Sequence, residues 1–218
     1  MSHLAHHRHQ PRQAIQLARQ GTQTLYSGPP QPPLQAQLLT MQAKGMATLR
    51  QTKECTQLLM DAERELSKPG DTQELSPWVS HFDEGSFANE AARCMRALGH
   101  FGEAQRQAHR VLELRPPDRT RSRALGQLVL VTVLVAQGDA DHACALAQDV
   151  LDSTQSLGSY VVLQQLSDLK ELFAPHQTNK TVADFLACLD QVLRERLWLY
   201  QWLSKDEPGR TTDFLEGV

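Results

Sequence analysis

Three polar side chains fall on one stretch with helical spacing: Asn89, Arg93 and Arg96. Arg93 and Arg96 stand three apart and Asn89 lies four before Arg93, so all three share one helix face. Two guanidinium forks beside an amide suit a carboxylate or a phosphate, because each fork can grip two oxygens at once. The chemistry they offer is recognition of an anionic ligand or a peptide terminus. The plainer reading is that they are solvated, or pair with Glu84 and Glu90. Other constellations carry less. His3 and His7 have the i, i+4 spacing that can hold a metal on a helix, with His6 and His9 beside them, but no carboxylate or cysteine is near. His81, Phe82, Asp83 and Glu84 put an imidazole and carboxylates at a helix start, where capping already explains Asp83. His142 stands two before Cys144, so the two point to different faces and make no Cys–His nucleophile. No Gly-rich phosphate loop, GxSxG, HExxH or paired CxxC occurs. The expectation is no catalytic residue, no metal and no cofactor, with an enzyme kept as the alternative.

The elements that must position these groups are helices. The chain has 218 residues, of which 40% are apolar and only 6% aromatic. Abundant Ala, Leu and Gln with few β-branched residues favour helix over sheet. The longest uncharged apolar run, Leu128 to Ala136, is too short for a membrane span, which needs about 20 residues. The N-terminal MSHLAHHRHQPR lacks a signal peptide's apolar core. With 22 basic against 25 acidic residues, net charge is -3 and the signs are interspersed. A nucleic-acid module usually shows a basic face and a high pI, so direct DNA or RNA binding is not expected. The local cluster Arg115 to Arg123 reads as a solvated loop. Cys55, Cys94, Cys144 and Cys188 are widely spaced and sit where Ala would also fit, which predicts buried free thiols in a reducing cytosol.

Apolar residues recur at three- and four-residue spacing over 10–26, 34–49, 52–67, 81–98, 101–114, 121–137, 140–153, 157–173 and 180–203. Pro and Gly clusters at 27–33, 68–71, 116–118 and 174–176 separate them. Capping boxes are expected at Ser80 with Asp83 and at Thr181 with Asp184. Two stretches repeat. Gly99 and Gly138 lie 39 residues apart, as do Ala104 and Ala143. Each glycine suits a left-handed helix cap, and each alanine lets the following helix approach closely.

These residues resemble the tetratricopeptide repeat, a pair of antiparallel helices with a Gly turn, an Ala opening the second helix and a Pro ending it. The unit Gly85 to Asp118 matches best, through Ala92, Met95, Gly99, Phe101, Ala104, Ala108, Leu112, Leu114 and Pro116. The unit Ala124 to Thr154 lacks the closing Pro, and in a unit Pro33 to Lys68 Arg50 stands where Gly is expected. Pro11 to Gln23 looks like a second helix without a full first one. The stretch Trp78 to Glu84 (WVSHFDE), followed by RALGHFGEA, RSRAL and DFLACL, resembles the C-terminal sensory repeat domain of actinobacterial Cro/repressor-type helix-turn-helix regulators. No helix-turn-helix precedes the repeats, so the chain looks like the sensory half alone, and DNA binding is not carried over.

The resemblance implies an all-α, right-handed superhelix over residues 10–203, closed by a C-terminal capping helix, with a flexible 1–9 and a tail at 204–218. Stacked helix pairs leave a concave face. The resemblance places Gln37, Thr40, Lys44, Ser86, Asn89, Arg93, Arg96, Leu128, Thr132 and Val135 along it, with His81 and Phe82 as a further wall. For this stretch, which begins at Trp78, the plainer reading is a hydrophobic staple that anchors the linker Lys68 to Pro77. Trp198, Tyr200 and Trp202 on the last helix are either part of the cap or a homodimer or partner surface. The expected function is a non-enzymatic, cytoplasmic recognition module for a peptide, protein segment or small effector, in transcriptional or secondary-metabolism regulation. The alternative is an enzyme or ligand-handling protein of a biosynthetic pathway using the same groove. No membrane partner is expected.

Overall fold

The computed structural model describes residues 10–25, 30–68 and 82–197. Among them the regular elements are helices: α1 (Pro11–Leu25), α2 (Pro32–Thr48), α3 (Thr52–Leu66), α4 (Glu84–Leu98), α5 (Phe101–Leu114), α6 (Thr120–Ala136), α7 (Ala140–Ser153), α8 (Tyr160–Phe173), a 3-10 turn Ala174–His176, and α9 (Lys180–Leu197). The expected segments match these helices to within three residues at each described end.

Local signals set these ends. Gly99 and Gly138 take φ of 82° and 86° and close the turns after α4 and α6. There an L side chain would crowd the backbone. Arg50 takes the same left-handed turn, at φ 59°. Its Nη1 donates to the carbonyl of Ala97, at the end of α4. A bond to the next helix pair thus offsets the steric cost that Gly would have avoided. The caps fall elsewhere than expected. Asp83, not Ser80, caps α4, with its Oδ1 accepting from Ser86 N at 2.9 Å. Asn179, not Thr181, caps α9, with its Oδ1 accepting from Thr181 N at 2.9 Å. Asn is the stronger cap of that pair, and Asp83 gains a second partner in Arg115.

That partner corrects the reading of 115–123 as a solvated loop. Arg115 grips Asp83 with both nitrogens, Nη1–Oδ2 at 2.7 Å and Nη2–Oδ1 at 2.5 Å. Arg123 Nη1 donates to the carbonyls of Leu112 and Arg115, each at 2.7 Å, and so caps the end of α5.

A helix pair cannot bury its apolar stripe alone, so pairs stack. Ala43, Ala62, Ala92, Ala104, Ala108, Ala143 and Ala147 are fully buried at the helix–helix seams. Two cores result. One gathers Ile15, Met46, Leu59, Phe87 and Met95 with Val129 and Val133 of α6. The other gathers Leu128, Val131 and Val135 of α6 with Leu151, Leu163 and Phe173. Helix α6 therefore serves both, which is why its sequence is apolar nearly all round. The first helices of successive pairs, α2, α4, α6 and α8, pack side by side as an inner row. On the outer side α3 and α5 barely meet. A tight inner row and a splayed outer one give curvature with the inner row concave.

Helix α9 closes the stack through buried Val182, Phe185, Leu189 and Leu193, with the Phe173 and Phe185 rings edge to face at 5.4 Å. Cys188 lies off that stripe and is exposed, against expectation, while Cys55, Cys94 and Cys144 are buried.

Two tests follow from these ends. Gly99→Ala and Gly138→Ala should each destabilise the fold by about 1 kcal/mol, a fall in Tm of about 2–4 °C in a chain this size. Burial pushes the Asp83 carboxyl up, but the hydrogen bonds from Arg115 and Ser86 outweigh this and hold it well below the usual carboxylate range. An ionised carboxyl held low stabilises the fold above its unfolded value near 4, and that contribution fades as pH falls below it. Urea midpoints of the wild type and Asp83→Asn should therefore converge between about pH 5 and pH 2. A constant gap would contradict the pairing.

Candidate functional site

The inner row is stitched by polar side chains that reach from one first helix to the next. On α2, Lys44 Nζ lies 3.1 Å from Glu90 Oε2 of α4, and the two side chains are only 12% and 21% exposed. Arg93 Nη1 is a looser 3.7 Å from Glu90 Oε1. Two cations thus share one carboxylate, with Lys44 the closer.

Arg96 is different. Its Nη1 donates to Thr132 Oγ1 of α6 at 3.3 Å, and Thr132 passes its own proton to the carbonyl of Leu128 at 2.9 Å. Among the described residues no carboxylate comes within ion-pair distance of Arg96. Burial lowers its proton affinity most, Arg93 lowers it further, and Asp168 of α8 raises it from a distance. A half-buried guanidinium satisfied by one neutral hydroxyl is costly to keep, because its desolvation is not repaid by a counter-charge. Nearby, Asn89 Oδ1 on α4 is buried without a hydrogen-bond partner, and so is Gln165 Nε2 on α8, one turn before Asp168. An anion entering the row would find a guanidinium and an amide N–H to donate to it.

The structure links Lys44 and Arg93 through Glu90, across α2 and α4, and separately links Arg96 to Thr132, across α4 and α6. Several other expected groove residues go elsewhere. Leu128 and Val135 are buried in the second core, because α6 must feed two cores and has little surface left. Thr40 is buried with its hydroxyl turned back to the Ala36 carbonyl at 2.8 Å. Ser86 accepts from Arg115 Nη2 at 3.0 Å, at the far end of α4. Phe82 packs against the first core at the start of α4, as a staple does. His81, Trp198, Tyr200 and Trp202 lie outside the described residues, as do Trp78 and the N-terminal histidines. Sequence reasoning missed Gln165 and Asp168. Their signal was there: residues 157–173 read as a helix, but not as the next first helix of the series.

No family model and no curated protein matches the chain. Solved structures do. It is similar to a Podosopora anserina chain described as a kinesin light chain with nearly identical TPR-like repeats, at TM-score 0.57 and 16% identity over 92% of this chain and 93% of that one. A form of that protein carrying a single substitution aligns at TM-score 0.60 and 16% identity over 89% and 92%. At this identity the likeness shows the fold alone, which is the TPR-like stack of helix pairs. Among the described residues no helix is long and apolar enough to cross a membrane.

The two cations of the row should answer differently to removal of charge. Lys44→Met takes from the partly buried Glu90 its cation at 3.1 Å, and should cost about 1–3 kcal/mol. Arg96→Met removes an uncompensated buried charge, and should leave Tm unchanged or raise it. Equal losses in thermal melts would mean that Arg96 is structural.

Proposed function

We propose that the chain is a non-enzymatic recognition module whose concave face takes a peptide or protein segment bearing an acidic group. The single observation behind this reading is Arg96, a half-buried guanidinium held by one hydroxyl and facing the inner row. Arg93, Asn89, Thr132 and Lys44 flank the same contact surface. A carboxylate at Arg96 would gain from a guanidinium already half withdrawn from solvent, and the fork geometry would select a planar two-oxygen group. The TPR-like fold supports a protein or peptide as the carrier of that group.

The resemblance to actinobacterial regulators supports a place in transcriptional or secondary-metabolism regulation inside the cytoplasm, with a small anionic effector as the other occupant of the groove. A DNA reader, where one acts, would then be supplied with this module rather than by it. Trp198, Tyr200 and Trp202, which follow α9 in sequence, serve in this reading as a homodimer or partner seam.

Phage display of random peptides against the full chain tests the reading. Selected peptides should be rich in Asp, Glu or free C-termini, and should lose at least about tenfold in affinity for Arg93→Ala/Arg96→Ala, roughly 1.4 kcal/mol. Peptides that bind the double variant equally well would remove the inner row from the function.

A further inference from the structure

We propose that the outer side of the stack carries a binding site separate from the inner row: a groove between α3 and α5 that takes a small organic ammonium ion, an apolar body ending in a protonated amine. Helices α3 and α5 both pack on α4 but barely meet each other, and the gap between them has a volume of about 390 Å³. That lies in the range of small-molecule sites. Its floor is one face of α4, formed by Phe87, Ala91 and Met95 at four-residue spacing. Leu59 and Met60 of α3 add an apolar wall. Met60 is 53% exposed, so a large apolar side chain stands in water at the edge. The thioethers of Met60 and Met95 suit an aromatic body.

The polar part of the lining sets the sign of the ligand. It holds two carboxylates, Glu63 and Glu103, and among the described residues that line the groove there is no Lys or Arg. Neither carboxylate is fully answered by the fold. Arg110 reaches Glu63 and Glu84 at 2.9 Å each, so one guanidinium serves two carboxylates. Glu103 meets Arg106, whose side chain is 78% exposed, and pairs of that kind are worth little. The other oxygen of Glu103 accepts from Gln107 Nε2 at 3.0 Å.

That bond fixes the Gln107 amide, because turning it over would set oxygen against oxygen. Gln107 Oε1 is thereby left buried without a donor, a cost that stands until one arrives. An ammonium group brings three donors and a positive charge, and so answers both carboxylates and the orphaned carbonyl. A carboxylate or phosphate would meet like charge here. The outer groove and the inner row thus select ligands of opposite sign.

The test titrates the full chain, labelled for NMR at its methionine methyl carbons, with phenethylamine and with its hydroxyl isostere phenethyl alcohol. Met60→Leu and Met95→Leu identify the two groove signals. Phenethylamine should shift both with a Kd of about 1 mM or tighter and bind at least about tenfold better than the alcohol. The signal of Met41 on α2 should stay in place. Glu63→Gln/Glu103→Gln should cut the preference for the amine below about threefold, and Gln107→Glu should tighten the amine alone. Thr56→Trp, which fills the gap from α3, should abolish both shifts, while Arg93→Ala/Arg96→Ala should bind as the wild type does. The proposal is overturned if amine and alcohol bind alike, if phenylacetate binds as well as the amine, or if the shifts survive Thr56→Trp. It is equally overturned if the amine moves neither groove signal.

Discussion

Helix α6 is where the two halves of the molecule become one. Its residues alternate between the two cores, Val129 and Val133 to one side, Leu128 and Val131 to the other. Each fully buried side chain of this kind contributes about 1.5–3 kcal/mol against exposure, so neither half keeps its share without the other. Everything functional inherits this constraint. The inner row keeps its spacing because α4 and α8 are both seated on α6, and Arg96 finds its hydroxyl because Thr132 occupies the narrow strip of α6 that neither core claims.

Fully buried alanines set the second condition. Small side chains at the seams let neighbouring backbones approach, and the inner helices close up while α3 and α5 diverge. Curvature is thus a packing outcome rather than a separate device. It concentrates polar side chains on the inner face, where their treatment divides. Lys44 and Arg93 both lean on the carboxylate of Glu90, Lys44 the closer. Arg96, two helical turns from the start of that group's helix face, is left with a hydroxyl and a distant carboxylate at Asp168. A fold optimised only for stability would place an apolar side chain there.

Much of this was legible in the chain. Glycine and proline mark helix ends by backbone geometry, so Gly99, Gly138 and Pro116 gave turns and boundaries directly, and the 39-residue spacing gave the repeat. Arg50 shows the limit of such reading. A left-handed residue other than glycine is sustained by a contact 47 positions away, at Ala97, which no local pattern encodes. The grip of Arg115 on Asp83 is hidden for the same reason, and turned an expected solvated loop into a staple. Leu128 and Val135 were assigned to the groove by analogy with repeats whose first helix feeds one core. Here that helix feeds two, and tertiary packing overrode the analogy.

The dependence of both halves on α6 is tested most directly by hydrogen exchange in rising denaturant, read peptide by peptide by mass spectrometry. The account predicts that peptides from α2 to α4 and from α7 to α9 lose protection together, at one denaturant concentration. Loss of protection in one half while the other remains fully protected would contradict it.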